Sequence, residues 1–335
     1  MGGGQDRPGL SERQPRPQTD SGSLPGRRPI IVVAGPTASG KSALALAIAE
    51  QFSGLVVNAD SMQVYRELAI LTARPGPAAL AAVPHRLYGV LPAAKRCSVG
   101  RWRELALGAI AAEPERLPVV TGGTGLYLRA LSTGLAPVPE IPDEVLAEGQ
   151  AMLEALGPER LHRELTSLDP EMGARLAPGD SQRLLRAWSV YQATGRSLAA
   201  WQAETEPAGP GPTLVIALMP PRAELYAACN ARFSAMLAAG ALGEVEALLA
   251  LGLAPSLPAM KAVGVRELAE VLSGRLALAK AIAAAQQATR RYAKRQVTWI
   301  RHQMPEANLI VAQFSERILP PIFAIIRQFL LTASK

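Results

Sequence analysis

The chain has 335 residues, 49% of them hydrophobic but only 4% aromatic, with 35 Lys and Arg against 28 Asp and Glu, a net charge of +7 and a pI of about 9.7. Two distant cysteines, Cys97 and Cys229, with no Cys/His cluster around His85, His162 or His302, speak against a disulfide framework and a zinc site. No run reaches the ~18 apolar residues of a membrane span, and Met1 to Arg28 lacks the apolar core of a secretory signal, so a cytoplasmic protein without a membrane partner is expected.

Residues 1–28 are rich in Gly, Pro, Ser and charge and read as a disordered leader. Pro29 to Ala34 is a short β-branched run of the kind that forms a buried parallel strand. Gly35 to Gly40 is a loop, and the Ala/Leu-rich stretch Lys41 to Gln51 predicts a helix. Leu55 to Asn58 predicts a second strand, Arg86 to Leu91 another, Arg101 to Ala112 a helix, and Leu117 to Thr121 a further strand running into Gly122-Gly123. Alternating strands and helices predict an open, doubly wound α/β sheet. Pro137, Pro139 and Pro142 mark a boundary, and Asp143 to Gln202 is helical in pattern. The polar stretch Glu204 to Pro212 marks a second boundary. Thr213 to Leu218 then returns to strand, and long helices follow to about Gln303. The predicted organisation is a core of residues 29–136 and 213–315, a helical insertion domain of 137–212, and a tail of 316–335.

Gly35-Pro36-Thr37-Ala38-Ser39-Gly40-Lys41-Ser42 fits the phosphate-binding pattern G-x-x-x-x-G-K-[ST], with the required strand before it and helix after it. Its glycines let backbone N–H groups turn toward phosphate oxygens, and the helix N-terminus adds positive potential. Lys41 supplies a mobile charge and Ser42 a hydroxyl suited to Mg²⁺. The fold class is thus α/β, a P-loop NTPase-like parallel sheet core with a helical insertion and C-terminal helices. ATP hydrolysis usually wants a further acid at a neighbouring strand end. The strand ending in Gly122-Gly123-Thr124-Gly125 offers none. Asp60 is the acid nearest the loop, and ligands of open α/β sheets sit at such carboxyl ends. It could ligate Mg²⁺, accept a proton from an attacking nucleophile, or cap the next helix. Gln63 carries both a donor and an acceptor, suited to reading a base edge. Arg290, Arg291, Lys294, Arg295 and Arg301 fall at helical spacing and predict one basic face, with Arg183 and Arg186 as a second basic site. His85 and His162 read as structural.

Taken together, the ordered motifs resemble the tRNA dimethylallyltransferases. They are the phosphate loop; Asp60-Ser61-Met62-Gln63-Val64-Tyr65-Arg66; Thr72-Ala73-Arg74-Pro75; Val83-Pro84-His85; Gly122-Gly123-Thr124-Gly125-Leu126-Tyr127-Leu128; Arg232-Phe233; Ala262-Val263-Gly264; and Thr289 to Gln296 with Thr298-Trp299. The resemblance implies transfer of a dimethylallyl group from dimethylallyl diphosphate to the exocyclic amine of the adenosine at position 37 of tRNA, next to the anticodon. It implies a tunnel where donor and base meet. Asp60 would be the general base, and Thr124 would contact the bridging oxygen of the diphosphate. The phosphate loop, Lys41, Ser42 and Arg232 would hold the diphosphate, with Mg²⁺ on Ser42 and Asp60. The anticodon stem-loop would meet Asp60, Ser61, Met62, Gln63 and Thr124, then Gln182, Arg183, Leu184, Leu185 and Arg186, then Arg290, Arg291, Lys294 and Arg295. Two positions depart from the family pattern: Leu71, where many members carry Gly, and Leu146, where many carry an Arg that contacts tRNA. A monomer is expected. The rival readings are a P-loop small-molecule kinase, prenyl transfer to a free adenine nucleotide, and a tRNA-binding module without catalysis.

Overall fold

The computed structural model describes residues 28–204, 209 and 211–333. Apart from Arg28, the leader lies outside them, as does most of the Glu204–Pro212 boundary. The first half runs β1 (Ile30–Ala34), α1 (Lys41–Gln51), β2 (Gly54–Asn58), α2 (Pro77–Ala82), β3 (His85–Arg86), α3 (Val99–Ala111), β4 (Leu117–Gly122) and α4 (Gly125–Ser132). Five helices follow: α5 (Asp143–Leu156), α6 (Pro158–Leu168), α7 (Pro170–Arg175), α8 (Ser181–Thr194) and α9 (Leu198–Ala203). The chain closes with β5 (Thr213–Leu218), α10 (Arg222–Ala238), α11 (Ala241–Ala250), α12 (Val265–Leu272), α13 (Leu278–Gln303), β6 (Asn308–Ile310) and α14 (Leu319–Ala333).

The strands form one parallel sheet in the order β3-β2-β4-β1-β5-β6. Every residue of β1 is fully buried, as expected of a Val/Ile strand covered on both faces. One face packs on Leu44, Ala45, Ile48 and Ala49 of α1, whose spacing puts them on a single helical stripe. The other face packs on α3, α4 and the C-terminal helices through Trp102, Leu128, Leu248 and Ile300. The helices from 143 to 203 gather around a separate apolar cluster that includes Leu161, Leu165, Leu184 and Trp188.

Three features differ from the sequence reading. The strand expected over Arg86–Leu91 is only His85–Arg86. Beyond it Leu87 and Gly89 take positive φ (67° and 62°), which turns the chain out of the sheet, and Leu91 keeps one bridge to Tyr65. Helix α3 begins earlier than Arg101 because the Ser98 hydroxyl caps it, accepting from Arg101 N at 3.1 Å. The stretch 316–335, expected as a tail, holds α14, which buries Ile322 and Ile326 against the α1 side of the sheet. Pro320 and Pro321 sit in its first turn, where a missing N–H breaks no helical bond. No single helix among the described residues is long and apolar enough to cross a membrane. The bent pair α10–α11 passes on length and composition alone, and it buries Phe233, Val245 and Leu248 in the core.

Trp102 links this core to the strand ends. Its indole Nε1 donates to the Asn58 carbonyl at 2.8 Å, and its ring stacks on Tyr127 at 4.4 Å. Trp102→Phe should keep much of the stacking but leave a buried carbonyl unpaired. Unfolding free energy in denaturant titration should fall by about 1–3 kcal/mol. A loss within the error of the titration would show that the bond does not anchor the end of β2.

Candidate active site

The site is assembled where β1, β4 and β2, neighbours in the sheet, end at their carboxyl edge. After β1 the phosphate loop coils through Ala38 (φ 64°) and Gly40 (φ 87°), both left-handed, into α1. Such a turn points successive N–H groups inward as an anion-binding nest. The loop is held from outside: Gln313 Nε2 donates to the Ala38 carbonyl at 2.7 Å, and Phe314 N donates to the Ser39 carbonyl at 3.2 Å. Ser39 is fully buried with its hydroxyl unpaired, whereas Ser42 lies exposed in the first turn of α1.

Lys41 is buried, and its ammonium reaches the Pro36 carbonyl at 3.5 Å. Burial lowers its pKa from 10.5 to about 8; Asp60 opposes that shift and Arg232 adds to it. Burial also lowers the pKa of Arg232, again against the pull of Asp60. The two cations and the carboxylate thus feel one another in a partly desolvated space.

Asp60 is fixed by the end of β2. Buried Asn58 accepts from Asp60 N at 2.8 Å and donates from Nδ2 to the carbonyls of Asp60 and Leu87, both at 3.0 Å. Asp60 Oδ1 accepts from Met62 N at 2.9 Å, closing a turn; no helix follows for it to cap. Thr124, at the end of β4, locks to the same turn. Its hydroxyl accepts from Ser61 N at 2.9 Å and donates to Ser61 Oγ at 3.2 Å, while Thr124 N donates to the Ala59 carbonyl at 3.2 Å. Gly122 permits this approach, since a Cβ there would collide with the Ala59 peptide.

A cavity of about 240 Å³ opens between these loops and the C-terminal helices. Its walls include Thr37, Asp60, Ser61, Met62 and Arg232, and also Leu71, Phe233, Met236 and Val263. Leu71, one of the two departures from the family pattern, is therefore a wall residue. The other, Leu146, packs against the apolar cluster of the 143–203 helices. Tyr292 of α13 completes the wall and meets Thr124 through its hydroxyl; burial, with Asp60, raises its pKa.

Several expected contacts fall elsewhere. Gln63 is buried and its amide donates to the Thr72 and Ala73 carbonyls at 2.9 and 3.3 Å, so it braces a loop and does not face the cavity. Leu184 is fully buried in the 143–203 cluster and Leu185 packs against it, so no surface is left on Leu184 for a nucleic acid; Gln182 and Arg186 are exposed, and Arg183 pairs with Asp180 at 2.6 Å. Arg290 turns inward to Asn230 Oδ1 at 2.6 Å, so it does not share the basic face. Arg291, Lys294, Arg295 and Arg301 are exposed, and the first three line a groove with Thr298, Trp299, His302 and Gln303. His85 and His162 hold backbone carbonyls, as expected of structural histidines.

The sequence reading named Gln296 within the Thr289–Gln296 motif but gave it no role. It is buried on α13, accepts from Thr37 N at 2.8 Å and donates to the Gly123 carbonyl at 2.9 Å. Its signal was available: Ala285, Ala293, Gln296 and Ile300 share the inward stripe of α13, and Gln is the one polar residue among them.

Fold and site together define a P-loop α/β protein whose phosphate loop opens onto a cavity with both charged and apolar walls. A family model described as IPP transferase matches residues 63–303, and one described as isopentenyl transferase matches 29–90. The chain is 55% identical to a tRNA dimethylallyltransferase of Rhodospirillum rubrum, over 92% of this chain and 98% of that one. It is 57% identical to the enzyme of that name from Rhodospirillum centenum, over 85% and 92%. Among solved structures, a tRNA isopentenylpyrophosphate transferase of Staphylococcus epidermidis superposes with a TM-score of 0.64 at 31% identity, covering 90% of this chain and 99% of that one. A eukaryotic dimethylallyltransferase acting on tRNA superposes at 0.78 with 26% identity, covering 91% and 80%. The chain belongs to the tRNA dimethylallyltransferase family.

The state of Lys41 sets a pH dependence. Below about 8 the folded chain bears a buried charge; that penalty fades between about 8 and 10.5, so this group's contribution to stability rises over that window. A bound diphosphate favours the protonated form, so its affinity should fall as pH rises above about 8, by up to about tenfold per unit. Calorimetric titration with dimethylallyl diphosphate one unit above that value, in buffers of different ionisation heat, should show proton uptake in the wild type and none in Lys41→Met. Equal uptake in both would assign the proton to another group.

Proposed function

We propose that this chain transfers the dimethylallyl group of dimethylallyl diphosphate to the exocyclic amine of the adenosine at position 37 of tRNA, releasing diphosphate. The observation that carries this reading is the single cavity that Thr37, Asp60 and Arg232 share with Leu71, Phe233, Met236 and Val263. An anionic head beside the phosphate loop and a small apolar tail suit such walls. The amine nitrogen forms a bond to the allylic carbon as the bond from that carbon to the diphosphate oxygen breaks. The amine proton passes to the Asp60 carboxylate, and the electron pair of the broken bond leaves with the diphosphate. Lys41, Arg232 and the loop amides stabilise the charge that gathers there. In this reading Thr124, pinned to the Asp60 turn, contacts the bridging oxygen.

The donor set suits Mg²⁺, which takes one or two carboxylates and completes its shell with phosphate oxygens and water. Ser42 offers a hydroxyl, and Asp60 has one carboxylate oxygen without a partner among the described residues. A bound Mg²⁺ would neutralise charge on the diphosphate. The exposed Arg291, Lys294, Arg295 and Arg301 supply phosphate contacts, and Arg295 lines both the basic groove and the cavity. An anticodon-loop base would leave its stack to enter the cavity. The reading takes the chain as a cytoplasmic monomer.

Labelled dimethylallyl diphosphate, Mg²⁺ and unmodified tRNA should give labelled tRNA, with no label on free AMP. Asp60→Asn should lower kcat by about 10²- to 10⁴-fold. ATP turnover without labelled tRNA would replace this reading with a small-molecule kinase. Replacing Arg291 and Lys294 together by Ala should weaken tRNA binding and flatten the slope of log K against log salt by about 1.5 to 2. Donor binding should stay unchanged; an unaltered slope would remove α13 from the tRNA interface.

A further inference from the structure

Residues 69–73 form a loop with no regular structure, yet it supplies Leu71 and Thr72 to the cavity wall. The loop's shape is set from α11. Glu244, in the first turn of that helix, accepts from Ala69 N at 2.6 Å and Ile70 N at 2.7 Å on one carboxylate oxygen, and from Leu71 N at 2.8 Å on the other. Three successive backbone donors converging on one carboxylate form a nest. Past the nest, Ala73 takes a left-handed φ of 48° and donates to the Ile70 carbonyl at 2.9 Å. The Thr72 carbonyl is thereby aimed at two donors: Gln63 Nε2 at 2.9 Å and Arg232 Nη2 at 3.0 Å.

We infer that Glu244 is a positioning residue for the diphosphate site, acting through the 69–73 loop on Arg232. A guanidinium on a long side chain has many rotamers. The Thr72 carbonyl selects the one that leaves Arg232 in the cavity wall beside Lys41 and Asp60, and Glu244 selects the position of that carbonyl. A neutral carboxamide in its place would turn an N–H₂ toward backbone donors, leaving at least one of three amides unpaired. The loop would shift, and Arg232 would lose its fixed partner. This inference rests on the diphosphate role given to Arg232 above.

The test is a double-mutant cycle read by calorimetric titration with inorganic pyrophosphate and Mg²⁺. Glu244→Gln should weaken binding about tenfold with a small change in thermal midpoint, and adding it to Arg232→Gln should cause no further loss, because coupled residues are not additive. Glu246→Gln, exposed on the same helix, should change nothing. Unaltered binding in Glu244→Gln, or losses that multiply in the double variant, would overturn the inference. Should Glu244→Gln fail to fold, Glu244→Asp, which keeps the charge one methylene shorter, decides by the same cycle. Failure of the wild type to prenylate tRNA while still binding pyrophosphate would refute the proposed function and leave this inference standing.

Discussion

Gln296 joins two loops that could not otherwise hold each other. One leaves β1 with its N–H groups turned inward for an anion, and the other leaves β4 as Gly122-Gly123 with no side chain to pack. Both expose backbone groups that sheet pairing cannot satisfy. Its carboxamide accepts from Thr37 N and donates to the Gly123 carbonyl, with both partners within 3 Å. A carboxamide carries a donor and an acceptor on a single rigid plane without any charge. Its burial makes each bond matter, since an unpaired partner there forfeits about 1–3 kcal/mol. The consequence reaches well beyond α13: a helix more than 250 residues along the chain sets the spacing between the phosphate loop and Thr124. The C-terminal helices are therefore part of the site's frame as well as one of its surfaces.

The same logic explains why several side chains in and around the loops spend their hydrogen bonds on backbone groups. Asn58 spends its whole carboxamide on Asp60 and Leu87, Gln63 on Thr72 and Ala73, and Glu244 on three successive amides. Irregular segments at the end of a buried parallel sheet have no neighbouring strand to pair with. Their polar groups must be met by side chains or the segment cannot be buried. Polar residues near such a site thus divide between those that face the cavity and those that hold its walls.

That division is what the sequence could not supply. The strand–loop–helix of the phosphate site was legible because local pattern alone specifies it, and so were β2, β4, β5 and the end of the last long helix near Gln303. The reach of a polar side chain is tertiary. Gln63 looked like a base reader because its chemistry allows it, and the loop at Thr72 took the amide instead. Arg290 fits the basic spacing of its neighbours, yet 100° of helical rotation separates it from Arg291 and turns it to Asn230. Leu184 lies within a basic segment, but its place on the apolar stripe of α8 sends it to the core. Strand β6 has only three residues at the sheet edge, too few for a pattern, and α14 begins with two prolines that ordinarily signal a break.

Charge is divided in the same way between a small interior set and a large exterior one. Inside, Lys41 and Arg232 face Asp60, and burial makes the cationic state of both expensive. A bound anion would offset that expense, because its charge replaces part of the solvation that burial removes. Outside, Arg291, Lys294, Arg295 and Arg301 stand in water, where salt screens them and each contributes little alone. Their effect on a polyanion comes from number and counterion release, not from geometry. On the proposed function, one chain would hold a small diphosphate with its buried cations and a long nucleic acid by accumulated charge. The two demands meet at Arg295, which belongs to both the groove and the cavity wall.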